Sequence, residues 1–251
     1  MITRKSTREI EKMQAAADVL VNCHKEIGKM IKPGITTREI DTFVENFLAK
    51  HNATPEQKGY QGYPYAICAS VNDEICHGFP QDKKLEDGDL VTVDMVVNLD
   101  GGLADSAWTY AVGNIDDAGQ RLMDVTKTAL YKGIEQAKAG NRIGDIGHAI
   151  QSYAEEEGFS VVRDFTGHGI GPTIHEEPHI PHFGAPNKGL RLKEGMVITI
   201  EPMINEGKWQ SQMDSNNWTA RTLDESRSAQ YEHQIVITNG EPVVLTEQDR
   251  A

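Results

Sequence analysis

Apolar residues recur at helical spacing through Ile10, Met13, Ala17, Leu20, Val21, Ile27 and Ile31, the pattern of one buried helix face. Ser6-x-x-Glu9 ahead of them is a capping-box signature, and Pro33-Gly34 ends the run. Thr36-x-x-Glu39 predicts a second helix start, with Ile40, Phe43, Val44, Phe47 and Leu48 facing inward. Residues 59–65, rich in Gly, Tyr and Pro, are expected to form a loop. Strands are predicted at 66–71, 90–99 and 103–112, with Asp100-Gly101-Gly102 as the hairpin turn between the last two. Helical spacing returns over 119–138 and 143–157, and strand patterning near 161–165, 196–204, 231–238 and 243–246.

Two stretches repeat at nearly one offset. Lys32-Pro-Gly-Ile-Thr-Thr-Arg-Glu-Ile40 lies over Lys138-Ala-Gly-Asn-Arg-Ile-Gly-Asp-Ile146, 106 residues on. Leu85-Glu-Asp-Gly-Asp-Leu-Val-Thr-Val-Asp94 lies over Leu192-Lys-Glu-Gly-Met-Val-Ile-Thr-Ile-Glu201, 107 residues on. Concordant offsets predict a duplicated half, with repeats of about 7–112 and 116–246 inside one domain of residues 1–251. The duplication makes Asp94 and Glu201 equivalent, each a carboxylate in an apolar strand. Packing about a pseudo-twofold would bring them together.

Charge narrows the function classes. The 251 residues carry 25 Lys and Arg against 38 Asp and Glu, a net −13. This argues against a nucleic-acid partner, which demands a basic footprint, and against an anionic membrane surface. No run approaches the roughly 18 apolar residues of a membrane span. The first nine residues run directly into charge without an apolar stretch, so a cytoplasmic protein is expected. Cys23, Cys68 and Cys76 form no C-x-x-C and are read as reduced thiols.

Candidate chemistry comes from acids and histidines. A second acid follows each apolar strand: Asp105 across the hairpin from Asp94, and Glu232 at the start of Gln234–Thr238. Four carboxylates cannot share a buried centre without neutralisation, and two divalent cations would balance them. Four of the nine histidines fall between positions 168 and 182. His168 lies between Gly167 and Gly169, where bare backbone allows close approach. His175 follows it, and His77 stands just after a strand, in Cys76-His77-Gly78. His175-Glu-Glu-Pro-His179 fits H-E-x-x-H literally, but Pro178 denies it the helix that motif requires. A nucleophile elbow and a phosphate loop are both missing from the sequence.

The order Asp94, Asp105, His168, Glu201, Glu232 resembles the five-ligand set of the type I methionine aminopeptidases. So do the strings Ser70-Val-Asn-Asp-Glu-Ile-Cys-His77-Gly, Gly167-His-Gly-Ile-Gly171, His175-Glu-Glu-Pro178, Glu201-Pro-Met203 and Gln230-Tyr-Glu-His233. The resemblance implies an α/β (α+β) "pita-bread" fold, a duplicated central antiparallel sheet covered by helices. It implies two divalent metal ions, with Asp105 and Glu232 bridging, Asp94 on one ion, and His168 and Glu201 on the other. An oxygen-rich set of this kind suits Mn, Fe(II) or Co, and is compatible with catalytic Zn. Glu201 is implied as proton shuttle, His175 as oxyanion donor and His77 as a contact to the scissile amide. Tyr63, Cys68, Ile174 and Trp218 are implied as pocket residues. Gln61 replaces a histidine often found at the substrate mouth, and Ile174 replaces a common Phe. The implied reaction removes N-terminal methionine from peptides and nascent chains whose second residue is small, and a monomer is expected. A Pro-directed relative, such as an aminopeptidase P or prolidase, and a non-catalytic binding protein of the same fold are the alternatives.

Overall fold

The structure is a computed structural model and describes residues 2–248. Helices α1 (Thr7–Met30) and α2 (Thr37–Lys50) each start on a reciprocal capping box, Ser6 with Glu9 and Thr36 with Glu39, so two otherwise orphaned backbone donors are satisfied at each start. The chain continues through β1 (Thr54–Pro55), a 3-10 turn (Tyr60–Gly62), β2 (Cys68–Val71), β3 (Glu74–Cys76), β4 (Leu90–Leu99) and β5 (Gly102–Ala111). Then come α3 (Asp117–Ile134), α4 (Ile143–Glu156), β6 (Ser160–Val161), β7 (Gly167–Gly169), β8 (Glu176–Ile180) and β9 (Val197–Ile200). The last strands are β10 (Met203–Asn205), β11 (Ser211–Met213), β12 (Ala220–Thr222), β13 (Ser228–Gln230), β14 (His233–Val236) and β15 (Val243–Val244).

Two antiparallel sheets dominate. In one, β4 pairs with β5 on one edge and with β1 and β2 on the other. The other runs β15-β14-β9-β7-β8. Residues alternate across β4: Val91, Val93, Met95 and Val97 join the core under α1 and α2, which leaves Asp94 and Val96 on the opposite face. α3 and α4 cover the second sheet, packing Leu122, Leu130, Ile146 and Ile150 against Ile198, Ile200 and Ile235. At roughly 1.5–3 kcal/mol per buried large aliphatic side chain, these two layers supply most of the drive for folding. Among the described residues no helix is long and apolar enough to cross a membrane.

The sheets meet along β5, where side chains replace a regular ladder. Asp105 N donates to Gln234 Oε1 at 2.9 Å and Glu232 N donates to Ala107 O at 2.9 Å. Thr109 Oγ1 donates to Gln230 O at 2.7 Å. Equivalent contacts recur in the two halves of the chain: Gly34 N donates to Leu85 O and Gly140 N to Leu192 O, and both glycines have positive φ, +94° and +100°.

Several predicted strands differ in extent. The stretch 196–204 is broken at Glu201-Pro202 and 231–238 at Tyr231-Glu232. Pro202 has no N–H for a ladder, Glu201 N is taken by His182 Nε2 at 3.1 Å, and Glu232 N crosses to β5. Glu201 therefore lies just past a strand rather than inside one. The expected 66–71 strand starts at Cys68 because Ala66 N and Ile67 N both donate to Asp41 Oδ1. The Asp100-Gly101 turn has φ of +51° and +79°, the two left-handed residues of a type I′ hairpin. β1, β7, β8, β11, β12 and β13 were not foreseen, being too short to show a period.

Candidate metal centre

The register of the first sheet aims its acids at one point. Cys68 faces Asp94, Asp94 faces Ala107, and Val96 faces Asp105, so Cys68, Asp94, Val96 and Asp105 share one face. From the second sheet, the breaks at 201 and 232 and the short strand β7 deliver Glu201, Glu232 and His168. Ligand atoms of Asp105, His168 and Glu232 all lie within 4.8 Å of one another. His168 Nε2 lies 3.6 Å from Asp105 Oδ2 and 3.6 Å from Glu201 Oε1. Asp94 lines the same cavity.

The electrostatics of this cluster disfavour four ionised carboxyls without a compensating charge. Burial pushes the Asp94 carboxyl up to about 7. Burial, then the Asp94 charge, raises Glu201 to about 8, against a lowering hydrogen bond from Thr199. Asp105 and Glu232 are held well above the ordinary carboxylate range, first by burial and then by the other acids. His168 is driven the opposite way, to about 3, by burial and then by the His175 ring. The imidazole is thus neutral, and its contacts with Asp105 and Glu201 are not ion pairs. Its Nδ1 lies 3.0 Å from Gly169 O; the proton that contact requires leaves the Nε2 lone pair facing the acids. Glu232 Oε1 is buried without a hydrogen-bond partner. An orphaned acceptor, a free imidazole lone pair and a set of crowded carboxylates fit a divalent cation.

Backbone packing explains the glycines around His168. A Cβ on Gly167 would collide with Thr199 O, and one on Gly169 with Glu177 O. The bare backbone admits neighbouring strands, and that approach places the imidazole. Thr199 Oγ1 completes the support, accepting from His168 N at 3.0 Å and donating to Glu201 Oε1 at 2.8 Å.

Above the acids lies a cavity of about 200 Å³ lined by Gln57, Tyr63, Cys68, Val96, Ile174 and Trp218, with His77, His175, Tyr60 and Gln61 also on its wall. It adjoins a wider cleft of about 430 Å³ that shares His77, His168, His175 and Glu201. Tyr63 and Trp218 meet edge to face at 5.0 Å, and Tyr63 Oη donates toward Ile67 O and Gly78 O at 2.9 and 3.1 Å. His77, at φ +56°, is lowered to about 4 by burial and then by His175. The His175 ring meets His168 edge-on at 4.4 Å, and its Nδ1 lies 3.0 Å from Tyr60 Oη. Every residue singled out from the sequence lines this cavity or its cleft. Tyr60, Gln57, His182, Thr199 and Gln234 were missed. Tyr60 stood in a loop noted only for its composition; Gln57, His182 and Gln234 act through contacts more than ten residues away, which leave no local pattern; and Thr199, two residues from Glu201, was read only as part of an apolar strand.

The model of metallopeptidase family M24 matches residues 11–239. The chain is 48% identical to methionine aminopeptidase 1 of Bacillus subtilis over 246 residues, covering 98% of this chain and 99% of that one. The chain belongs to family M24 and, within it, to the type I methionine aminopeptidases. The crystal structure of methionine aminopeptidase from Rickettsia prowazekii superposes with a TM-score of 0.97 at 43% identity, covering 98% of this chain and all of that one. The fold is therefore the family's pita-bread arrangement, a central antiparallel sheet flanked by helices. A prolidase from Pyrococcus furiosus, 24% identical with a TM-score of 0.81, shares the fold alone, and the chain covers 66% of it. Family membership with the Asp105, His168 and Glu232 cluster makes this chain a metal-dependent aminopeptidase.

The raised carboxyls give a pH signature to metal-free protein. Folded-state pKa values above the unfolded ones stabilise at low pH, and that stability is lost as pH rises through the folded values. His24, His77, His168 and His182, lowered to about 4, 4, 3 and 3, act in the opposite sense. Their effect is confined below about pH 6.5, where imidazoles of the unfolded chain take up protons. Between about pH 6.5 and 8 the acids stand alone, and Glu201, raised to about 8, loses its contribution as pH climbs through that range. Thermal unfolding of chelated protein should show Tm falling across this window. The gain in Tm from added metal should widen over the same range; a gain that stays flat with pH would rule out a shared carboxylate centre.

Proposed function

We propose that this enzyme removes the N-terminal methionine from peptides and nascent chains, using two divalent cations held by Asp94, Asp105, His168, Glu201 and Glu232. The observation that carries the reading is the convergence of these groups at the floor of a mostly apolar cavity with two histidines on its wall. Asp105 and Glu232 would be shared between the ions, with Asp94 holding one and His168 and Glu201 the other; Mn, Fe(II), Co and Zn would all suit such donors. Bound cations supply Lewis-acid polarisation of the scissile carbonyl and acidify water. The chain's own groups do the rest. Glu201, oriented by Thr199, carries the proton to the departing amine. His175 donates to the developing oxyanion; that role needs the Nε2–H tautomer, in which Nδ1 accepts from Tyr60 Oη, 3.0 Å away. His77 contacts the scissile amide.

Tyr63, Cys68, Ile174 and Trp218 form the side-chain pocket, and its size of about 200 Å³ suits an unbranched thioether. We read residues 1–251 as one catalytic domain of two related halves, about 7–112 and 116–246. The buried free thiols of Cys23, Cys68 and Cys76 accord with action in the reducing cytoplasm, where nascent chains emerge. The test is metal-dependent release of methionine from Met-Ala-Ser against an X-Pro peptide; cleavage of the latter alone would replace this reading with a Pro-directed one. The second residue must sit against the metal floor, so Ala, Ser or Gly there should exceed Leu or Lys by on the order of 10–100-fold in kcat/KM. Equal rates for the two groups would refute the assigned specificity.

A further inference from the structure

No residue of the N-terminal arm, 2–6, lines the catalytic cavity, yet the arm holds both segments that flank it. Lys5 Nζ bonds Glu176 Oε2 at 2.7 Å, with side-chain exposures of only 3% and 16%. Thr3 Oγ1 donates to the same oxygen at 3.0 Å, and Lys5 Nζ also reaches Thr3 Oγ1. On its other side, Lys5 N donates to Gly195 O and Arg4 Nε to Glu194 O, both at 2.6 Å.

Glu176 directly follows His175 and opens β8 opposite Gly169, the neighbour of His168. Gly195 leads into β9, which ends at Ile200, directly before Glu201. A Cβ on Gly171 would collide with Lys5 Nζ and Glu176 Oε1, so the backbone of the 170–175 loop is fitted around this ion pair. We propose that the arm is a positioning clamp: Lys5 holds Glu176 and thereby fixes His175 over the reacting bond. The proposal rests on the role given to His175 above. Glu176 is half-buried, and its ion pair with Lys5 anchors the start of β8 directly beside His175; without that cation the segment loses its tie to the arm. A simple terminal staple would lower Tm and leave turnover of the folded enzyme unchanged, which separates the two roles.

The experiment uses metal-loaded full-length enzyme and release of methionine from Met-Ala-Ser. Failure of the wild type to release methionine overturns the functional reading itself, before the clamp is tested. Given wild-type activity, Lys5→Met should lose about 10-fold in kcat, with KM changed less than about 3-fold and metal per chain unchanged. Lys5→Arg should restore most of the loss. In a His175→Ala background, Lys5→Met should change kcat less than about 2-fold, because the group it positions is gone. Glu176→Gln, which keeps an acceptor oxygen and is gentler on the fold, should lose severalfold and carries the test if Lys5→Met unfolds. Wild-type kcat in Glu176→Gln, an undiminished loss on the His175→Ala background, or a loss that tracks metal content would each overturn the clamp.

Discussion

Asp105→Asn should abolish aminopeptidase activity and strip metal from the protein while leaving the chain folded. Asp105 is buried among Asp94, Glu201 and Glu232, and its carboxyl is held well above the ordinary range. Burial beside those acids favours its neutral form in metal-free protein, and a neutral amide of the same shape replaces that form with little strain. Its backbone N–H still meets Gln234 Oε1, so the junction between the sheets persists. An amide cannot supply the negative charge that a cation needs. Loss of partners outside the ligand shell costs about 10–100-fold, and loss of a direct ligand should exceed that. The measurements are metal per chain, turnover and Tm with and without metal. Metal-free Tm should match or exceed the wild type near pH 8, and added metal should raise it little. Near-wild-type turnover with full metal content would remove Asp105 from the site.

His175→Ala separates catalysis from metal binding. His175 belongs to no cluster of ligand atoms among the described residues. It meets His168 only edge-on, at 4.4 Å, while His168 is held independently through Gly169 O and Thr199. The variant should keep its metal and lose kcat by on the order of 10²-fold or more, the cost of a transition-state donor. KM should move far less. The pKa of His175 is lowered by desolvation and then by His179, so the donor stays neutral near pH 7, as an Nε2–H donor paired with Tyr60 should be. Metal lost along with activity would show that the role assigned to His175 is wrong.

Legibility followed the reach of each interaction. Both capping boxes, the hairpin turn and the ten-residue strand β4 were readable because each rests on contacts between near neighbours. The offset repeats set Asp94 against Glu201, and both side chains line the one cavity. The strand ends were not readable: what ends them is a distant acceptor, His182 Nε2 for Glu201 N and Ala107 O for Glu232 N. For the same reason the glycines beside His168 looked like a ligand signature, although their immediate cause is close approach of Thr199 and Glu177.

The amino-acid order by itself determined the helix starts, the alternation that turns Asp94 away from the core, and the identities of the acids and imidazoles available for a metal. Propensity, capping and side-chain period act over a few residues and are written in the local sequence. Only the tertiary structure decided that Asp105, His168 and Glu232 approach within 4.8 Å, that Tyr60 Oη comes within 3.0 Å of His175 Nδ1, and that Lys5 reaches Glu176 across 171 positions. Those distances arise when two separately covered sheets are joined along β5. The energy that holds them is burial of the helix-covered faces, which specifies how the halves pack but leaves no periodic trace at the few polar positions where they meet.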